Sequence, residues 1–77
     1  MTMSDAFSHR GYLANCSPAR KPDGTYQPYV VIARCSDGAL LVNQFFPPTV
    51  RFPTRDAAIE HARQWAMDWI NRRGSAV

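Results

Sequence analysis

The chain contains 77 residues, of which 45% are hydrophobic and 19% are charged, and its formal net charge is +3. This length predicts one domain, residues 1–77, with a core so small that oligomerisation is a common remedy for marginal stability. No apolar run is long enough to span a bilayer, and the basic residues are scattered, which argues against a membrane protein and against a basic nucleic-acid-binding tail.

The N-terminal residues 1–7 are small and polar, and we expect a frayed terminus. This segment has neither the basic region nor the apolar core of a signal peptide, which favours a cytoplasmic location. Two cysteines, Cys16 and Cys35, are too few for a disulfide framework. In a reducing cytosol we expect both to be partly buried free thiols.

Three stretches have the composition of β-strands, namely residues 10–16, 29–35 and 39–46. In the first, Tyr12, Ala14 and Cys16 alternate onto one side. Residues 17–28, which precede the second strand, predict a long loop or a wide hairpin connection, because they contain prolines and an Asp-Gly pair. Residues 36–38 (Ser-Asp-Gly) predict a tight turn between the second strand and the third.

The second and third predicted strands are apolar on both faces. The tight turn would place Ile32 opposite Val42 and Tyr29 opposite Phe45. One face then carries Val30, Ile32, Leu40, Val42 and Phe46, and the other carries Tyr29, Val31, Ala33, Leu41 and Phe45. A half-solvated sheet should be polar outside. The second face therefore needs a cover: the N-terminal segment, the loop at residues 47–53, or another copy of the chain.

Residues 54–73 have the pattern of one amphipathic helix that follows a short extended piece. Its apolar arc comprises Ala58, Ile59, Ala62, Trp65, Ala66, Trp69 and Ile70. Thr54 is a good N-cap, and Gly74 is a good terminator. The tryptophans supply most of the apolar area, so Trp69→Ala should destabilise the protein more than any other change in this helix.

The order of elements is therefore strand, strand, strand, helix. The simplest two-layer arrangement is an α+β fold in which one C-terminal helix packs on one face of a three-stranded antiparallel β-meander (βββα). Residues 8–52 would form the meander. The pattern does not indicate which sheet face the helix covers.

The helix region resembles the C-terminal part of a group of small bacterial βββα domains without an established activity. Their shared pattern is a strand ending in Phe, a Ser or Thr cap, regularly spaced alanines, a Trp-Ile-Asp/Asn group and a closing Gly. The matching residues are Phe52, Thr54, Ala58, Ala62, Ala66, Trp69, Ile70, Asn71 and Gly74. The resemblance implies this fold and a bacterial origin. The order also resembles half of a double-stranded-RNA-binding domain, but Arg55 and Asp56 stand where such domains carry lysines.

No catalytic, metal-binding or cofactor-binding motif is evident, and we expect a protein that is not an enzyme. His61 lies on the rim of the helix one turn from Trp65, and a solvated surface histidine is its simplest interpretation. His9 precedes the first predicted strand in a segment that we expect to be mobile. The cysteines lack the close paired spacing of zinc ligands.

Two functional hypotheses follow from the second apolar face. The first is an interaction domain that contacts a second copy or another protein through Tyr29, Val31, Leu41 and Phe45. The second is a nucleic-acid-binding protein in which bases stack on Tyr12, Tyr29 and Phe45 while Arg34 and Arg51 contact phosphates. We favour the first because the sequence has no basic stripe.

Overall fold

The computed structural model describes residues 5–74 and has the expected α+β class. Its elements are β1 (Ala6–His9), β2 (Tyr12–Asn15), β3 (Ala19–Arg20), β4 (Tyr26–Gln27), β5 (Tyr29–Arg34), β6 (Leu40–Phe45) and α1 (Arg55–Gly74). A four-stranded antiparallel sheet has the order β1-β2-β5-β6, and β3 and β4 form a separate two-stranded ribbon. The predicted three-stranded meander is therefore a part of a larger sheet.

The additional strand of the main sheet is β1, which the sequence did not predict. Phe7 pairs with Ala14 and His9 pairs with Tyr12 in the antiparallel ladder. Phe7 is also partly buried against the core. The prediction of a frayed terminus is therefore wrong for residues 5–7, while residues 1–4 lie outside the described residues. The segment contains no β-branched residue and Phe7 is its only large apolar one, so strand pairing rather than propensity holds it in place.

Asp5 connects the start of β1 to the start of α1. Its carboxylate accepts hydrogen bonds from the Ser17 hydroxyl and from the Arg55 guanidinium, the latter at 2.9 Å. The Ser17 hydrogen bond, together with the Arg55 charge, lowers the pKa of Asp5. The N-terminal edge of the sheet is thereby attached to the helix that packs on it.

A two-residue turn of Arg10 and Gly11 joins β1 to β2, where the sequence predicted the start of a strand. Both residues have positive φ, 53° for Arg10 and 83° for Gly11. Positive φ at both central positions is the requirement of a type I′ hairpin turn. Glycine adopts this conformation freely, whereas arginine does so at a steric cost. The hairpin signal was weak because arginine is an unusual first residue for this turn.

The predicted loop at residues 17–28 contains the β3–β4 ribbon, in which Ala19 pairs with Gln27. Tyr26 also exchanges two backbone hydrogen bonds with Phe52, at 2.8 and 2.9 Å. Gln27 is a buried polar residue, and its amide donates a hydrogen bond to the Phe46 carbonyl at 2.6 Å. These bonds fix the path of the chain from the sheet into the helix.

The helix agrees closely with its predicted bounds. The Thr54 hydroxyl accepts a hydrogen bond from the Ala57 amide at 3.2 Å, which confirms the N-cap. α1 then runs through Gly74, one residue beyond the predicted end. The predicted apolar arc is also confirmed: Ala58, Ile59, Ala62, Ala66 and Ile70 are buried, and Trp65 and Trp69 are partly buried.

The helix packs on the sheet face that carries Ala14, Cys16, Val30 and Ile32, and all four side chains are fully buried. Ala14, Val30 and Ile32 come from the two central strands, β2 and β5, with which α1 makes contact, and Cys16 directly follows β2. Their burial decides which face of the sheet is covered.

The β5–β6 register confirms that Ile32 lies opposite Val42 and that Tyr29 lies opposite Phe45. The ladder is irregular between Ile32 and Ala33, and Ala33 pairs with Leu40. The prediction that Leu40 shares the face of Ile32 is therefore wrong. A bulge shifts the alternation by one residue, which moves Leu40 to the opposite face.

Candidate interaction surface

The sheet face turned away from α1 is called the open face below. Its residues, as the strand register places them, are Ala6, Ser8, Leu13, Asn15, Tyr29, Val31, Ala33, Leu40, Asn43 and Phe45. They form three rows across the strands: Ser8-Leu13-Ala33-Leu40, Ala6-Asn15-Val31-Asn43 and Tyr29-Phe45. The face is uncharged and mainly apolar, with two asparagines in its middle row.

Three large apolar side chains of the open face are exposed to solvent. The exposed fraction is 49% for Leu13, 58% for Leu40 and 55% for Phe45. Each belongs to a strand and has a cross-strand partner, so its position is set by pairing rather than by a loose loop. Exposure at three points of one face is typical of a surface that contacts another molecule.

The N-terminal segment and the loop at residues 47–53 were two candidates to cover this face, and neither does so in the described residues. The N-terminal segment continues the sheet as β1, beside β2. In the loop at residues 47–53, Phe52 packs on the helix side, where its ring lies 5.1 Å from that of His61. Across residues 5–74 the open face therefore has no covering layer, as far as the chain's own elements are concerned.

The aromatic end of the open face is held by contacts within the sheet. The Tyr29 and Phe45 rings lie 4.4 Å apart at an interplanar angle of 44°. The Tyr29 hydroxyl donates a hydrogen bond to Asn43 Oδ1. The two rings are thus oriented before any partner binds, which lowers the entropic cost of association.

Three of the four residues predicted for partner binding, Tyr29, Val31 and Phe45, lie on the open face. Leu41 is partly buried and falls at the irregularity of the ladder, without a cross-strand partner in the register. Leu13 and Leu40 were missed. Alternation along the first predicted strand indicates Leu13, whereas no sequence signal locates the bulge that exposes Leu40.

The residues predicted for nucleic-acid binding do not lie together. Tyr12 faces the helix, and its ring meets Trp69 edge-on at a centroid distance of 6.0 Å, so the expected Tyr12-Tyr29-Phe45 cluster is wrong. Arg34 and Arg51 lie at opposite ends of the sheet. Each forms an ion pair at 2.9 Å, Arg34 with Asp37 and Arg51 with Asp23. Their charge is therefore already balanced by neighbouring carboxylates.

The Arg34–Asp37 pair closes the β5–β6 turn. Asp37 also accepts a hydrogen bond from the Ala39 amide at 3.0 Å. The Arg34 hydrogen bond and then the amide lower the pKa of Asp37 to about 2. The ionised carboxylate therefore favours the folded turn at neutral pH.

Replacing Asp37 by asparagine is expected to lower the free energy of unfolding at pH 7 and to leave it nearly unchanged near pH 2. The lowered pKa means that the Asp37 contribution is complete above the ordinary pKa of 3.8 and is lost as the pH falls towards about 2. Urea unfolding of both proteins across this range measures the difference. A gap that does not shrink on acidification would contradict the role of the ionised side chain.

Both histidines contact other side chains of the fold. His61 is exposed, and its ring lies 5.1 Å from both the Phe46 ring and the Phe52 ring. His9 belongs to β1 and not to a segment before the first strand, and its Nε2 lies 2.9 Å from Asn71 Oδ1. Among the described residues no group of three or more His, Cys, Asp and Glu side chains is placed to hold a metal ion.

The two cysteines lie in different environments. Cys16 is fully buried and Cys35 is exposed, so the expectation of two partly buried thiols is wrong for both. Burial, and then the Asp5 charge, raises the pKa of the Cys16 thiol to about 11. The Cys35 amide donates a hydrogen bond to the Gly11 carbonyl at the start of β2, and Cys16 follows the end of the same strand. At the rise of a β-strand, Gly11 and Cys16 are about 16 Å apart. A disulfide between the two cysteines is excluded in this fold.

A shallow open depression on the helix is lined by Trp65, Asp68, Trp69 and Arg72. It brings together no nucleophile and base. No helix within residues 5–74 has the length and apolarity that crossing a bilayer requires. Comparison with known proteins provides no template, since no protein-family model, curated protein or solved structure matches this chain.

Proposed function

We propose that this protein is a non-enzymatic interaction domain that binds a protein surface through its open face. The observation that supports this role is the solvent exposure of Leu13, Leu40 and Phe45 on paired strands of the sheet. The helix stabilises the opposite face, so the fold does not need the open face for its own core. Its partner would be a second copy of the chain or another protein.

The energetics favour a partner with an apolar, uncharged surface. Covering an apolar side chain removes it from water at a gain of about 25 cal/mol per Å². The open-face asparagines, Asn15 and Asn43, would provide polar contacts that orient the partner. An acidic or basic partner gains little here because none of the open-face residues is charged.

Nucleic-acid binding is not the function that we propose. That hypothesis required Tyr12 beside Tyr29 and Phe45, and it required arginines close to these rings. Tyr12 lies on the helix side. The guanidinium groups of Arg34 and Arg51 are paired with carboxylates.

The variant Leu13→Lys tests the proposal. Lysine at a half-exposed strand position should leave the free energy of unfolding within about 0.5 kcal/mol of the wild type. It should weaken association through the open face by about tenfold or more, since the burial of one leucine contributes about 1.5–3 kcal/mol. Sedimentation over a concentration series and the fluorescence of an apolar dye would measure association and exposure of the face.

Gln64→Lys is the matched control, because Gln64 is exposed on the helix, the layer opposite the open face, and the charge change is the same. We expect this control to behave as the wild type in both measurements. Dye binding and sedimentation that are the same for the wild type, Leu13→Lys and Gln64→Lys would refute the proposed function.

A further inference from the structure

The outer edge of β6 presents backbone groups that are free to pair with another strand. β6 is an edge strand because β5 is its neighbour on one side and the order β1-β2-β5-β6 ends there. The Phe46 amide donates to the Pro28 carbonyl at 3.0 Å, and in the regular antiparallel register this makes Val30–Gln44 a hydrogen-bonded pair. The N–H and C=O groups of Asn43 and Phe45 then point outward.

This edge lacks the features that normally prevent strands from pairing edge to edge. Proteins protect such edges with charged residues, prolines or bulges. Residues 38–50 contain no charged residue, and Pro47 and Pro48 come only after β6 has ended. The irregularity at Leu40 and Leu41 disturbs the start of the strand and leaves residues 42–45 regular.

The other edge strand of the sheet, β1, is better protected. It has four residues, compared with six in β6, and it is flanked by Asp5 and Arg10. Asp5 is also engaged by Ser17 and Arg55 at this edge. Strand addition is therefore favoured at β6 over β1.

We propose that β6 pairs antiparallel with β6 of a second copy of the chain, about a two-fold axis at Gln44, to form a continuous eight-stranded sheet. The proposal rests on the proposed role as an interaction domain, and it identifies the second copy as one partner. The pairing joins the open faces of both copies into one larger face and leaves that face available for a further protein.

The register follows from the outward backbone groups. With Gln44 on the axis, Asn43 of each copy lies opposite Phe45 of the other, so each outward N–H meets an outward C=O. A register centred on Asn43 would need the irregular Leu41 to take part. The Gln44 side chain can donate and accept at once, so two copies of it are complementary across the axis.

A second copy of the chain fits this edge better than a charged partner does. A charged peptide would find no opposite charge along residues 38–50, which are neutral throughout. An isologous pair requires one patch that is complementary to itself, and an antiparallel strand with a glutamine on the axis meets that requirement.

Cysteine crosslinking tests the pairing in the full chain. In a Cys35→Ser background, Gln44→Cys is expected to form a disulfide-linked dimer as the main product on mild oxidation with oxidised glutathione, since opposed side chains on the axis lie within disulfide range. Ser8→Cys on β1 is the control at the other edge of the sheet, where the side chain is also exposed, and this variant should remain mainly monomeric. Crosslinking of Ser8→Cys in preference to Gln44→Cys would overturn the assignment of the edge.

Asn43→Pro provides a second measurement. Proline removes an outward N–H that takes no part in the β5–β6 ladder, and such edge positions tolerate proline. Sedimentation should show the wild type as a dimer and Asn43→Pro as a monomer, with the circular dichroism of the fold retained. If this variant does not fold, the cysteine variants still decide the question.

The outcomes separate this proposal from the proposed function. If the wild type is a dimer, and the Leu13→Cys variant forms the crosslink while the Gln44→Cys variant does not, the edge pairing is overturned and an open-face contact is supported. A wild type that is monomeric at every concentration would also overturn the edge pairing, and the dye measurement on Leu13→Lys would then judge the open face independently.

Discussion

Replacing Ile32 by alanine is expected to destabilise the protein by about 2–5 kcal/mol, the range for large-to-small changes in a core. Ile32 is fully buried on β5, the central strand that α1 packs against. A domain of this length has a total stability of roughly 4–12 kcal/mol. The change therefore removes a large fraction of it, and denaturant unfolding followed by circular dichroism measures the loss.

Val30 and Val31 provide a matched pair for the same question. They are adjacent residues of one type on β5, but Val30 is fully buried under the helix and Val31 lies on the open face. Val30→Ala should cost about 2 kcal/mol, and the melting midpoint should fall by about 8–16 °C. Val31→Ala should cost clearly less. Equal losses at low protein concentration would mean that both faces of the sheet are covered within one chain.

Replacing Trp69 by alanine should cost about 3 kcal/mol or more, and we expect the largest effect of any single change in α1. Trp69 packs against the core, meets Tyr12 edge-on, and has the Arg73 guanidinium 4.5 Å above its ring. Three kinds of contact are lost together: apolar burial, the aromatic pair and the cation–π contact. Urea unfolding of Trp69→Ala beside Ile70→Ala measures the ranking.

A double-mutant cycle separates the aromatic contact from burial. Tyr12→Leu and Trp69→Leu, alone and combined, should show a coupling energy of about 0.5–1.5 kcal/mol. The control cycle pairs Tyr29→Leu with Trp69→Leu, because Tyr29 lies on the open face. That cycle should be additive. Additivity in the first cycle would contradict the contact between Tyr12 and Trp69 and its contribution to stability.

The candidate surface exposes two kinds of group to solvent. The open face exposes apolar side chains, and the β6 edge exposes backbone donors and acceptors. Water forms hydrogen bonds with the backbone groups at little cost in free energy, whereas the exposure of apolar side chains to water is unfavourable. The face should therefore dominate affinity for a partner, and the edge should set the geometry of self-association.

Local patterns were sufficient for most of the helix and for the β5–β6 hairpin. The helix arc was predictable because residues three and four apart share a face in any helix, whatever it packs on. The hairpin register was predictable at Ile32 and Tyr29 because a turn close to Asp37 and the alternation of residues 42–45 determine cross-strand partners, although the connection spans residues 35–39 rather than the predicted 36–38. Both features depend on contacts between residues close in sequence.

Two of the remaining errors, at β1 and at Tyr12, share one cause, which is that the deciding contact is distant in sequence. β1 has little strand propensity, and its place depends on pairing with β2 and on the bonds of Asp5 to Ser17 and Arg55. Leu40 was assigned to the wrong face because a bulge in the ladder has no clear mark in the sequence. Tyr12 was predicted to lie on the uncovered face with Tyr29 and Phe45, but it packs against Trp69 of α1.

From residues 10–73 alone, the sequence determined an α+β domain with a capped amphipathic helix and a sheet whose central strands are apolar on both faces, since periodicity and turn chemistry are local properties. Which of those faces the helix covers is a property of the tertiary structure. Alternation makes the two faces nearly equivalent, and the packing of Ala14, Val30 and Ile32 against α1 chooses between them. That choice leaves Leu13, Leu40 and Phe45 exposed, and so it also decides which face is available for the contact that we propose.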